Sequence, residues 1–333
     1  MIPSFRSHGR LVVVLLTALV FSASLGAASA LETVRVGVLK FGTVNWELDA
    51  MKEAGLDRSA GVDVEIVPFA GEDASNVALQ AGDVDVIVSD WLWVSRLRTD
   101  GADYTFVPYS SSVGAIMVPQ DSALRSLGDL KGRKLGVAGG PLDKSWLLIQ
   151  GLARRDHGVD LAAENDIVYG APPLLSEKAR QGELDAVLNY WHYNARLEAK
   201  GFRSLVGADE AARALGASGP VSALGWVFPE RWADAHPQAA RGFVEASRAT
   251  KALLASSDAA WERLAPLVRA EGAELLALRD RYRDGIPRRP AAEEEADARL
   301  LHGVLAELGG EKLVGRSAAM APGTYWPRLV GGF

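Results

Sequence analysis

Cysteine is absent from all 333 residues. That gap excludes disulfides, thiolate metal sites and a cysteine nucleophile together. Histidine is scarce at five residues, no pair stands at metal-ligand spacing, and HExxH does not occur. The G-x-S-x-G nucleophile elbow is missing too. No metal, cofactor or catalytic residue is therefore expected. Basic residues are outnumbered, 36 Lys and Arg against 42 Asp and Glu. Nucleic-acid binding draws on counterion release by a basic surface, so nucleic acid is not an expected partner.

Long apolar runs are also lacking, with one exception at the start. Arg6 and Arg10 precede an apolar run from Leu11 to Phe21, broken only by Thr17, and "AASA" closes with Ala28-Ser29-Ala30. This is the layout of a cleaved secretory signal, residues 1–30, and the run is too short to span a bilayer. An uncleaved anchor is the alternative; no cysteine follows to carry a lipid. The expected mature chain starts near Leu31 and is exported to the periplasm. Without Arg6 and Arg10 it carries a net charge of −8.

What is present alternates. Short β-type runs at Val34–Val38, Val62–Val67, Val84–Val88, Tyr104–Pro108, Ala115–Val118, Leu135–Val137, Ile167–Tyr169 and Leu184–Leu188 are separated by helical stretches. Asp143 stands as N-cap before "KSWLLIQGLARR". Beyond Glu230 the pattern is almost wholly helical. Strand–helix alternation predicts an α/β fold with mostly parallel sheets covered on both faces.

An internal echo cuts across this pattern. Residues n and n+100 are identical at Gly82/Gly182, Asp85/Asp185, Trp91/Trp191, Arg96/Arg196, Leu97/Leu197 and Gly101/Gly201. Glycines end helices in any α/β unit, so they add little. Paired tryptophans at the ends of matching strands are rarer, and they favour two similar lobes.

In open parallel sheets ligands meet the carboxyl ends of the strands. That rule selects Phe41 with Trp46 a helical turn on, Ser89-Asp90-Trp91, Ser112, Gly140-Pro141, and Asn189 with Trp191 and His192. Trp226 follows a later crossing. "AGGPLDKS" has the outline of a P-loop, but Ala138 and Asp143 occupy glycine positions and Asp143 would repel phosphate. The glycine pair can still offer a backbone N–H, or be only a tight turn. A lone His192 among rings is a pocket or core residue more readily than a general base. Any of the nine tryptophans can equally be core. Aromatic walls beside Asp90 suit a cation or flat heterocycle; a small inorganic anion would call for arginines.

The stretches "VRVGVLKFGTVNW", "ALQAGDVDVIVSD", "SLGDLKGRKLGVAGGPLDKSWLL" and "KARQGELDAVLNYW", in this order, resemble type II periplasmic solute-binding proteins. The chain is most similar to the branch serving nitrate, sulfonate, taurine and thiamine-precursor ABC importers, NMT1/THI5-like and SsuA-like. The resemblance implies a two-lobed fold, each lobe a mostly parallel sheet flanked by helices, with the ligand cleft between them. Residues 31–114 plus 221–333 would form lobe 1, on which the helical tail packs, and residues 115–220 lobe 2. Trp91 and Trp191 would then close on the ligand from opposite walls. The implied partners are a small-molecule ligand and ABC permease subunits, with the protein a monomer. The alternative is a periplasmic accessory or sensory protein that binds another protein through the same fold. An enzyme making a cofactor precursor is a third reading, opposed by the lack of catalytic residues.

Overall fold

A computed structural model describes Met1 and residues 31–328. The expected signal lies outside the described residues but for Met1. The chain first lays down β1 (Glu32–Leu39), α1 (Val44–Glu53), α2 (Leu56–Ser59), β2 (Val62–Phe69) and α3 (Glu72–Ala81). Then follow β3 (Val86–Ser89), α4 (Trp91–Thr99) and β4 (Tyr104–Ser110). A second series runs through β5 (Ala115–Pro119), β6 (Lys134–Ala138), α5 (Lys144–His157), β7 (Asp166–Gly170) and α6 (Pro172–Arg180). It continues with β8 (Ala186–Asn189), α7 (Trp191–Glu198), β9 (Phe202–Gly207) and α8 (Ala208–Ala214). The remainder is β10 (Leu224–Pro229), α9 (Glu230–Ala235), α10 (Pro237–Ser256), α11 (Asp258–Val268), α12 (Gly272–Asp284), α13 (Ala291–Gly309) and α14 (Glu311–Val314).

Two five-stranded sheets result, ordered β2-β1-β3-β10-β4 and β7-β6-β8-β5-β9. In each, four strands run in one direction and the fourth in order is antiparallel to both of its neighbours. The fourth place is filled by exchange: β5 leaves the first series for the second sheet, and β10 returns to the first. Two segments, residues 111–114 and 215–223, make these crossings.

The echo is a structural repeat. β3–α4 and β8–α7 occupy equivalent places, one hundred residues apart. Asp85 accepts the backbone N–H of Arg35 at 2.8 Å, and Asp185 accepts that of Lys134 at 2.8 Å. Each carboxylate holds a backbone N–H of its neighbouring parallel strand. Gly82 and Gly182 follow the preceding helices with φ of 78° and 74°, a left-handed turn where a Cβ is costly.

The helical tail departs from expectation, because it does not pack on the first sheet's helices alone. α10 covers the first sheet, with Phe243 and Val244 in its core. α12 binds α7, where Arg281 meets Glu198 at 3.0 Å and Glu274 pairs with Arg196. α13 lays Ala298, Leu301 and Leu305 into the cluster that holds Leu147, Leu148 and Leu152 of α5. The tail's helices are apolar toward two partners, so they cover both sheets. Glu294 and Asp297 of α13 also hold the second crossing segment. Glu294 accepts the N–H of Ser222 at 3.1 Å, and Asp297 accepts those of Ser218 and Gly219 at 3.0 and 3.2 Å. Among the described residues no helix is long and apolar enough to cross a membrane.

Candidate functional site

The carboxyl ends of both parallel strand sets carry the predicted loops, and two groups of side chains meet there. The first is polar. Asp90 caps α4, its Oδ1 accepting the N–H of Trp93 at 2.8 Å. Asp143 caps α5 in the same way, accepting from Trp146 at 3.0 Å. Both obey one local rule, an N-cap aspartate bonding the N–H three residues on. Because the capping oxygen is Oδ1 in each, Oδ2 of Asp90 is free to accept from Lys144 Nζ at 2.9 Å. This ion pair ties the second sheet's α5 to the first sheet's α4.

Glu72, the first residue of α3, and Ser89 lie beside Asp90. Burial, reinforced by the Asp90 charge, pushes the Glu72 carboxyl above its ordinary value. Burial also raises Asp143, against the hydrogen bond from Trp146 and the charge of Lys144. Burial opposes the charge on Lys144, but Asp90, joined by Asp143 and Glu72, outweighs it and raises the ammonium. Tyr190 stands over the same group; burial and then Asp143 raise its hydroxyl. The residue is 39% exposed. One carboxylate, that of Asp90, thus bonds the ammonium, while the charges of Asp143 and Glu72 also act on it.

The second group is aromatic. Trp46 meets Trp191 edge to face with ring centroids 5.9 Å apart, and Trp261 at 6.1 Å. Trp191 also lies 6.4 Å from Tyr282. Underneath, the Tyr282 hydroxyl donates to Glu47 at 2.8 Å, Ser247 donates to Glu47 at 2.6 Å, and Lys251 pairs with Glu47. The Lys251 ammonium sits 3.7 Å from the Tyr109 ring centroid. Glu47 and Lys251 are buried, and burial lowers the Lys251 ammonium against the opposing pull of Glu47.

The other predicted site residues divide. Phe41 is 80% exposed at the rim, near Lys40. Gly140 follows Gly139 with φ of 83° and 81°, so the pair makes the left-handed turn that leads through exposed Pro141 to Asp143. His192 is half-buried between Trp191 and Tyr193, and burial, then the Arg196 charge, lowers its pKa to about 4.

Four of the predicted residues are engaged by protein neighbours. Trp91 is buried, its ring 6.3 Å from that of His302 of α13. Trp226 is core, wedged between Tyr109 and Phe243 with its indole N–H on Ser247 at 2.9 Å. Asn189 is buried and braces its own loop, donating to Pro172 O and Ser176 Oγ at 2.9 Å and accepting from the N–H of Tyr190. Ser112 donates to the Arg281 carbonyl at 3.3 Å, at the close of α12. In each case a tertiary neighbour distant in sequence takes the group. Glu72, Asp143, Lys144 and Tyr190 stand at the same strand ends without having been selected as candidates. Glu72 follows a strand end and meets the same rule that selected Ser89, while the negative charge of Asp143 was visible in its failure as a P-loop. Among the described residues no cluster of His, Asp or Glu could hold a metal ion.

Two mixed sheets joined by two crossing segments, with polar loops meeting at their strand ends, define the two-lobed periplasmic-binding-protein fold. The alkanesulfonate-binding protein SsuA from Xanthomonas axonopodis pv. citri, bound to MOPS, is similar at a TM-score of 0.64 and 19% identity, covering 88% of this chain and 98% of that one. The periplasmic aliphatic sulphonate binding protein SsuA from Escherichia coli gives 0.66 at 19% identity, covering 86% and 95%. An ABC transporter from Parabacteroides distasonis gives 0.65 at 13% identity, covering 88% and 98%. No curated protein matches the chain. Residues 49–260 match the family model described as NMT1/THI5 like, and the chain belongs to that family.

Proposed function

We propose that this protein is the substrate-binding component of an ABC importer, exported to the periplasm and working without catalysis. It captures a small organic solute bearing a cationic, aromatic or heterocyclic part and presents it to the permease as a monomer. The lobes, residues 31–114 with 221–333 and residues 115–220, would close over the solute by bending at the crossing segments. Closure needs a ligand that binds the closed form better than the open one, which loops from both sheets allow. The observation that carries the reading is the meeting of Asp90 and Lys144 from different sheets, with Glu72, Asp143 and Tyr190 around them. The two similar SsuA proteins are named for sulfonates; a sulfonate here would face three carboxylates, whereas a cation would be welcomed by them. Native mass spectrometry of protein purified from its own periplasm, with thermal-shift assay of what is released, tests the reading. One small molecule per chain is expected. A co-purifying protein with no small molecule would favour an accessory or sensory role, and turnover of the released compound would make it an enzyme.

A further inference from the structure

We infer that Asp90–Lys144 and Trp46–Trp191 are two clasps by which the chain itself draws its lobes together, and that the charge at position 144 sets how far they stand open. The inference rests on the binding-protein reading above and adds what governs its lobe motion. β1 and β6 are the second strands of their sheets, and β3 and β8 the third. The helices that follow them correspond as well, α1 with α5 and α4 with α7. Asp90, the N-cap of α4, meets Lys144, the first residue of α5, at 2.9 Å. Trp191, the first residue of α7, meets Trp46 in the first turn of α1 at 5.9 Å. Exchanging the sheets turns the α4–α5 meeting into the α7–α1 meeting, so one kind of contact occurs twice. One copy is ionic because Asp90 and Lys144 stand where the echo has Tyr190 and Val44.

Both contacts join groups of different sheets, so a hinge turn that parts the lobes must break both. Asp90 keeps its helix cap through Oδ1 when that happens, while Oδ2 and the 39%-exposed Lys144 side chain return to water. An ion pair of this kind and an edge-to-face ring pair are each worth up to about tenfold in an equilibrium. That is enough to shift an open–closed population and small enough for a solute to override. Arg281–Glu198 is a further tie between α12 and α7. It starts beside the first crossing, where the Arg281 carbonyl accepts from Ser112 at 3.3 Å. A turn displaces atoms least close to its hinge, so the two contacts at the helix starts are the ones that open.

The test measures the distance between lobes in the mature chain, freed of solute by unfolding in guanidinium and refolding. Glu65→Cys and Asp166→Cys supply the only thiols for spin labels, since the chain has no cysteine. Both positions are exposed, on β2 and β7, the edge strands farthest from the crossings in each sheet. Pulsed dipolar spectroscopy should resolve a short and a long distance. Lys144→Gln should lower the short-to-long ratio about fivefold. Lys144→Glu has the same length and suits a helix start, yet should lower the ratio further by repelling Asp90. Lys144→Arg keeps the charge and should stay within about twofold of wild type. Trp191→Leu should lower the ratio as well, and with Lys144→Gln should take it below either single variant. The inference is overturned if Gln and Glu give one ratio, if Arg falls with them, or if the distances never change. Native mass spectrometry separates this from the importer reading. One solute per chain with an unvarying distance overturns the clasps and leaves that reading standing. No solute, with distances that follow the charge, keeps the clasps and removes it.

Discussion

Trp46 and Trp191 rise from helices that follow strands of different sheets, yet their rings meet edge to face at 5.9 Å. Edge-to-face pairs are worth about 0.5–1.5 kcal/mol beyond the area they bury. A denaturant double-mutant cycle with Trp46→Leu and Trp191→Leu should return a coupling of about 1 kcal/mol. Strictly additive costs would show that the two rings do not support each other.

His192 gives stability a slope with pH. Its folded pKa is lowered to about 4 by burial and by Arg196, against about 6.5 in the unfolded chain. The unfolded state therefore binds the proton first as pH falls, so this contribution is present above about pH 6.5 and lost toward pH 4. Between pH 7 and pH 5 the loss from this one group is about 2 kcal/mol. His192→Gln should flatten the urea-midpoint profile over that range, and an unchanged slope would assign it to other groups.

Glu47 and Lys251 form a buried pair whose carboxylate also serves Ser247 and Tyr282. Lys251→Met leaves that carboxylate buried without its cation and should cost about 3–5 kcal/mol by chemical denaturation. Glu47→Gln added to Lys251→Met removes the stranded charge and keeps one acceptor oxygen, enough for one of the two hydroxyls. The double variant should recover at least about 1 kcal/mol relative to Lys251→Met. No recovery would mean that packing of the long side chains, rather than charge, sets the cost.

The repeat at one-hundred-residue spacing was readable because glycine, aspartate and tryptophan each do a specific job at that place in a strand–helix unit. Asp85 and Asp185 pin equivalent strands, and a local signal suffices for that. The parallel strands were legible for the same reason. β9 and β10 were not singled out as strands, since they pair antiparallel with strands far away in the chain. Trp91 and Trp191 share a position but not a fate. One is covered by α13 and the other meets Trp46, and nothing within either segment says which helix will arrive. Lys144 finds Asp90 across 54 residues, so the polar group at the strand ends was visible only in halves.

The hold that α13 keeps on the second crossing has a consequence for how the molecule comes apart. Glu294 and Asp297 grip residues 218, 219 and 222, while Leu301 and Leu305 further along the helix share a core with α5. Arg289 completes the grip, donating to Asp297 at 2.7 Å and to the Pro220 carbonyl at 2.9 Å. Neither sheet can melt without dislodging this splint, and the splint cannot leave without exposing both. Two sheets joined only by covalent strings would melt in two steps; these should melt as one cooperative unit, with calorimetric and van't Hoff enthalpies equal. Asp297→Ala should be the change that splits the single peak in two, turning one folding unit into a pair.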